Sequence, residues 1–491
     1  MNRFSYIRTR RLAAGLLLFG LLIPGLLAQE KFRRTPPYPD PLPALVLPAV
    51  NSEYLGNGLR VVTISRANNP VFNLMVLIQV GESDSPPELA GLATVTAQVL
   101  PRGTATVSPG EVEERLALLG IEYSVEVQAD YTIFSFIFLA ENLEPALELI
   151  SLFFVEPAFP ALELSAVKRE YYYQLLRRHQ DPETAGYNFF LKRIFSGSGY
   201  NPGVLDEELI KNISARDAAQ FHQRYMRPNN STIIFNGQIT LAEASRQAAQ
   251  NFRRWVPRPV ERKTVSRLNN RDFDQVCLLD IPGNEAAIIT GNLTGSISSP
   301  DYFPLLVLNH IMGGTTGSRL FINLREIKGL AFYAFSDLSF FRENGLFWVR
   351  AKTAPPAIPE TIAGINSIMR SLAEERIEPE ELERAKAYLM GNLPLQLQSP
   401  ENLSQRIGLL DLFQLPPDFW SRYLQNIMPV NSELVREVAR KYLAARPLVI
   451  IVADASRALD YLKDFDKIDV YNRKGQFQAV FQKGVLRYEN R

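Results

Sequence analysis

One cysteine and three histidines in 491 residues set the first limits on what this chain can do. A lone Cys277 rules out an internal disulfide framework and leaves no cysteine near the N-terminus to carry a lipid. His179, His222 and His310 stand 43 and 88 residues apart, so no two share the short spacing that presents paired imidazoles to a metal. Net charge is equally scarce, at +1. Arg3, Arg8, Arg10 and Arg11 lie in the first 28 residues, which hold no acid; the remainder carries 49 basic against 52 acidic residues, a net of −3. Such a chain offers no electrostatic footing to nucleic acid. There is no Gly-x-Ser-x-Gly elbow for a serine hydrolase. The glycine-rich loop Gly313-Gly314-Thr315-Thr316-Gly317 lacks the lysine of a P-loop and follows the helix-like Leu305–Met312 rather than a strand, which makes it a close-packed turn.

What is present is a globular composition, 46% hydrophobic and 21% charged, in a chain long enough for two or more domains. The four early arginines precede an apolar run, Leu12–Leu27, broken by Pro24 and Gly25 and ending at Ala28. This reads as a secretory signal over residues 1–28, with a retained membrane anchor as the alternative. Export without disulfides fits a bacterial periplasm. Residues 29–50 are proline-rich and read as an extended lead-in. Strands are expected at Leu59–Ser65 and Val71–Val80 and a hairpin over Ile121–Ala140; helices at Leu89–Leu100, Gly110–Leu119, Leu143–Phe154 and Pro160–Arg178. A composition shift near Val256–Asp272 marks a linker.

After the linker the order of elements begins again. Pro160 opens a helix that runs to Asp181-Pro182; Pro379 opens one that leads to Ser399-Pro400 at nearly the same separation. Ile213-Ser214 leads through a helix to the strand Thr232–Phe235, and Asn431-Ser432 leads likewise to Leu448–Val452. Two landmarks in one order imply duplicated halves: 51–255 and 273–475, with a tail at 476–491 that forms a final hairpin or a partner contact. The expected class is α+β, each half a mostly antiparallel sheet with helices on one face.

The stretch Gly313–Ser336 carries the most information. Gly317 and Ser318 suit a helix entrance with a serine cap, Gly329 a left-handed exit, and the aromatic run from Leu330 a strand. Its core, Ser318-Arg319-Leu320-Phe321 followed by Leu324-Arg325-Glu326 and Gly329-Leu330-Ala331, resembles the C-terminal-half signature of the pitrilysin-type (M16) zinc peptidases. The resemblance implies two like halves, as in the mitochondrial-processing-peptidase-like fold, facing each other across a cavity. It also implies where a metal site would stand: an inverted His-x-x-Glu-His after a Gly-Leu-Ala lead, with a distant Glu. Here the lead is Gly91-Leu92-Ala93, Thr94 and Gln98 occupy the histidine positions, and Ala97 that of the general base. The distant acid would fall near Tyr173 and Gln174, with Glu170 a turn earlier. No metal is therefore expected in this chain.

In that family the C-terminal half supplies an arginine and a tyrosine seven residues apart that contact peptide, and some bacterial members divide the zinc motif and this pair between two chains. Arg325 matches the arginine; seven residues on stands Phe332, with Tyr333 next. Either a bulge restores Tyr333, or Phe332 takes the position and the hydroxyl is missing. The resemblance thus implies a non-catalytic subunit that helps bind peptide for a zinc-carrying partner in a heterodimer, with zinc held by the partner. The alternative is a scaffold protein of the same fold with no part in proteolysis.

Overall fold

The computed structural model describes residues 45–488 apart from 67–68, 199, 201–206, 262–267, 269–272 and 274. The expected signal segment, most of the lead-in and most of the linker lie outside the described residues.

The first half holds β1 (Val50–Tyr54), β2 (Arg60–Ser65), β3 (Val71–Ile78), β4 (Glu122–Val127), β5 (Thr132–Leu139) and β6 (Ser231–Gly237). The second holds β7 (Val276–Asp280), β8 (Ala286–Thr294), β9 (Ala331–Phe340), β10 (Gly345–Thr353), β11 (Leu448–Ala453), β12 (Ile468–Asn472), β13 (Phe477–Gln482) and β14 (Val485–Tyr488). The sheets run β1-β2-β6-β3-β5-β4 and β14-β13-β12-β7-β11-β8-β10-β9. Within them β2-β6-β3-β5-β4 and β7-β11-β8-β10-β9 match strand for strand. Each begins with one parallel pair, and the rest are antiparallel. β12 extends the second sheet parallel to β7, and β13 and β14 of the tail continue from it as an antiparallel meander.

Alternation along each strand divides its side chains between two faces. In the first sheet Val61, Phe72, Leu74 and Val76 meet the half's own helices, among them Leu92–Val99 and Leu143–Val155. Val62, Ile64, Met75, Leu77 and Ile234 point the other way, into the cluster that contains Leu403, Ile407 and Leu410. Those three belong to the helix Pro400–Leu412, which comes from the second half. The exchange is mutual. The helix Pro182–Ile194, from the first half, sets Phe189, Phe190 and Ile194 against Leu279, Ile289, Ile450 and Val452 of the second sheet.

Proline starts both exchanged helices. Asp181 accepts the N–H of Thr184 at 2.8 Å and Ser399 that of Asn402 at 3.4 Å, each capping a helix whose first residue is proline. The two landmarks read from the sequence as helix ends are thus the points where the chain crosses to the other half. Covering both faces explains why every residue of β6, β8 and β11 is buried. Polar ties fix the crossing: Ser404 Oγ donates to Asn73 Oδ1 at 2.8 Å, Asn236 Nδ2 to Ser404 Oγ at 3.1 Å, and Arg60 pairs with Asp411.

Candidate functional site

Gly91, in the left-handed region at φ 96°, turns the chain into the helix Leu92–Val99. The start of that helix is held by Glu82, from a short turn ten residues upstream. Its carboxylate accepts the N–H of Gly91 at 3.1 Å, the N–H of Thr94 at 2.8 Å, the Ser85 hydroxyl at 3.0 Å and the Thr94 hydroxyl. Burial pushes the Glu82 carboxyl up from its ordinary range, against the downward pull of these bonds. Tyr171 then donates to Thr94 Oγ1 at 3.3 Å, joining this helix to Ala161–Gln180. Sequence reading missed Glu82, because capping is sought next to a helix and here the chain folds back to provide it.

Beside this network lies a cavity of about 570 Å³. Thr94, Gln98, Glu170, Tyr171 and Gln174 line one side, β4 residues Val125–Val127 another, and Tyr187 and Asn188 of the Pro182 helix, with Ser339–Phe341, the third. The structure therefore brings together Thr94 and Gln98, where the resemblance would place histidines, and Gln174, one of the two residues reached by counting to the distant acid. Ala97 is fully buried in the apolar core of the first half and does not line the cavity.

These residues do not fit a zinc ion. Zinc needs imidazole, thiolate or carboxylate donors in a tetrahedron. Thr94 Oγ1 is bonded to Glu82 and Tyr171, the Gln98 amide donates to Val125 O at 3.2 Å, and Glu170 pairs with Arg102 at 2.9 Å. Among the described residues no group of three His, Cys, Asp or Glu side chains could hold a metal. The histidines are dispersed. His179 meets Glu207 at 2.7 Å, His310 stacks on Tyr388, and buried His222 contacts Phe154 O at 3.0 Å. Cys277 is buried, and desolvation pushes its thiol up to about 12, far from a reactive thiolate.

The stretch after Gly313 forms a wide-turned helix, Phe321–Ile327, with Lys328 N donating to Asn323 O at 3.1 Å. Gly329, at φ 63°, ends it as expected. The expected serine cap is absent: Ser318 Oγ is buried without a hydrogen-bond partner. Arg325 is exposed, lies over the Phe321 ring at 4.9 Å and has Glu326 at 3.4 Å. Between Lys352↔Tyr333 and Thr353↔Ala331 the register of β9 against β10 slips, leaving Phe332 as the extra residue of a bulge. The bulge is present, but it does not bring Tyr333 into the cavity lining.

Its hydroxyl goes elsewhere. Tyr333 donates to Glu183, at the start of the Pro182 helix, and Arg350 bridges Glu183 at 3.1 Å and Asp337 at 3.2 Å. Burial, then Glu183, raises the Tyr333 phenol well above its ordinary range. Phe332 is half exposed and shares its surface character with Ile322 and Ile327. The cavity touches β9 only at its far end, Ser339–Phe340. Six residues of strand, roughly 20 Å, separate Tyr333 from Ser339. The two sets of sequence-predicted residues are therefore not brought together: Thr94 and Gln98 line the cavity, while Arg325 and Phe332 are exposed and do not.

Two duplicated α+β halves with exchanged helices, enclosing a cavity at a degenerate metal position, define a peptidase-type scaffold without its metal ligands. The comparisons agree. Residues 60–185 match the insulinase (peptidase family M16) profile and 212–389 the peptidase M16 inactive domain. The chain belongs to the M16 peptidase family. It is 23% identical over 390 residues to the uncharacterized zinc protease YmxG of Bacillus subtilis, spanning 78% of this chain and 93% of that one. With an uncharacterized zinc protease of Mycobacterium bovis it shares 25% over 419 residues, 84% of this chain and 94% of the other. Among solved structures, the peptidase M16 inactive domain from Pseudomonas fluorescens superposes with a TM-score of 0.76 at 20% identity, covering 82% and 98% of the two chains. A protease from Helicobacter pylori gives 0.74 at 18%, covering 83% and 100%.

Proposed function

We propose that this chain is the non-catalytic subunit of a two-chain, exported M16 peptidase. A partner chain carries the inverted His-x-x-Glu-His and its zinc, and peptide enters the shared chamber as an added strand. The observation that carries this reading is the separation just described. Arg325, Phe332, Ile322 and Ile327 are exposed and none lines the chain's own cavity, which Phe332 approaches only through roughly 20 Å of β9. An arginine placed there acts on something outside this chain. Export rests on the four-arginine, apolar N-terminal segment, and the periplasm on the single buried cysteine. The relatives of similar length named as zinc proteases make a peptidase assembly the natural setting.

The test is co-purification with a chain that carries the zinc motif, then peptide cleavage with and without this subunit. Cleavage should rise on adding the wild type and fall with Arg325→Ala. Unchanged cleavage in both cases removes the peptidase role. A second reading, a scaffold protein of the same fold, is favoured by one contact: the Tyr333 hydroxyl is already taken by Glu183.

A further inference from the structure

We propose that Gln98 closes this chain's own cavity to extended peptide by capping the free edge of β4. The inference deepens the reading above and rests on it: peptide is excluded here and handled where the partner's zinc stands. β4 ends its sheet, so one row of its backbone groups has no strand partner. The register says which row. Gln128 N donates to Tyr131 O at 2.8 Å, making these two a bonded pair at the hairpin end. In an antiparallel ladder bonded pairs alternate, so Glu126 and Ser124 turn their backbone groups to β5, and Val127, Val125 and Tyr123 turn theirs outward. Val125 and Val127 line the cavity.

Into this row Gln98 donates its amide, 3.2 Å from Val125 O. A neighbouring strand lies about 4.8 Å away. The Gln98 nitrogen therefore occupies the place of the N–H that an added peptide would offer to the middle of β4. The helix bearing Gln98 is held in place, because Thr94, one turn earlier, is bonded to both Glu82 and Tyr171. The edge of β9 is tied to the chain as well, three residues before it reaches the cavity. Phe341 N donates to Asn344 O at 2.8 Å, which turns Ser336 of β9 outward, and Ser336 N is taken by Gly313 O at 3.0 Å. Gly313 is needed for that approach: a Cβ there would lie 2.3 Å from Ser336 N.

The experiment uses the purified chain without a partner and a dye-labelled decapeptide of alternating threonine and valine flanked by lysines, read by fluorescence anisotropy. Wild type should bind weakly. Gln98→Ala, which removes the amide, and Gln98→Glu, which keeps its bulk but replaces donor by acceptor, should each bind about tenfold tighter or more. The same peptide with alternate backbone amides N-methylated should lose that gain. Variants no tighter than wild type, or gains that survive N-methylation, overturn the proposal. Opening by Ala alone makes Gln98 a steric plug and overturns the hydrogen-bond cap. Because no partner is present, the result stands apart from whether a zinc chain is ever stimulated.

Discussion

The Asp130 carboxylate accepts the backbone N–H of Arg342 at 2.8 Å, across 212 residues of sequence. Asp130 sits on the β4–β5 turn of the first half and Arg342 on the β9–β10 turn of the second. Their neighbours Ala129 and Phe341 line the cavity. Tyr200 donates to the same carboxylate at 2.8 Å, and Phe195, Tyr200 and Phe341 pack edge to face around it. The contact clasps the two hairpin tips at the cavity rim. Asp130→Ala leaves the buried Tyr200 hydroxyl and the half-buried Arg342 N–H without this acceptor and should lower stability by about 2–3 kcal/mol, read as a shift in the urea midpoint. An unchanged midpoint would show that the clasp does not hold the halves together.

Glu82 supports a second expectation. Glu82→Ala leaves the N–H groups of Gly91 and Thr94 without acceptors inside the protein and should cost about 2–4 kcal/mol. Glu82→Gln keeps one acceptor oxygen and should cost less. Equal losses would mean that packing, not capping, is what Glu82 provides.

His222 predicts a pH dependence. Desolvation, helped by the Arg227 charge, lowers its pKa from 6.5 to about 4. The folded state thus holds it neutral while the unfolded state takes up a proton below 6.5, so this stability is full above that pH and lost as pH falls towards 4. The span corresponds to at most about 3 kcal/mol. His222→Gln should flatten the fall in urea midpoint between pH 7 and 4.5 relative to wild type; identical slopes would place the dependence elsewhere.

Tyr333 and Arg325 should separate in their effects. Tyr333→Phe removes one bond to Glu183, which keeps Arg350, so stability should fall by about 1 kcal/mol or less. Subunit-dependent peptide cleavage should stay at the wild-type level, whereas Arg325→Ala should lower it. Cleavage lost with Tyr333→Phe would mean that the hydroxyl leaves Glu183 to meet peptide.

Much of this was legible in residue order. The strands expected at Leu59–Ser65 and Leu448–Val452 agree with the structure to within a residue, since alternating or continuous apolar runs bounded by turns have few other readings. Asp181-Pro182 and Ser399-Pro400 were legible as landmarks but not as crossings, because a proline that ends one helix also starts the next. Which sheet the new helix covers depends on contacts far away in sequence. The Phe332 bulge was visible only as a spacing conflict, and the Glu183 contact of Tyr333 had no local sign at all. Ala97 stands at the motif position but inside the core, which spacing along a short helix could not distinguish from a cavity-facing place.

Among the described residues no group of side chains could hold a metal, and the proposed function gives this chain a zinc-carrying partner. Metal analysis of the purified chain alone, paired with a peptide-cleavage assay on the same sample, tests this most directly. The account predicts no stoichiometric zinc and no cleavage. One zinc per chain, with peptide cut, would contradict it.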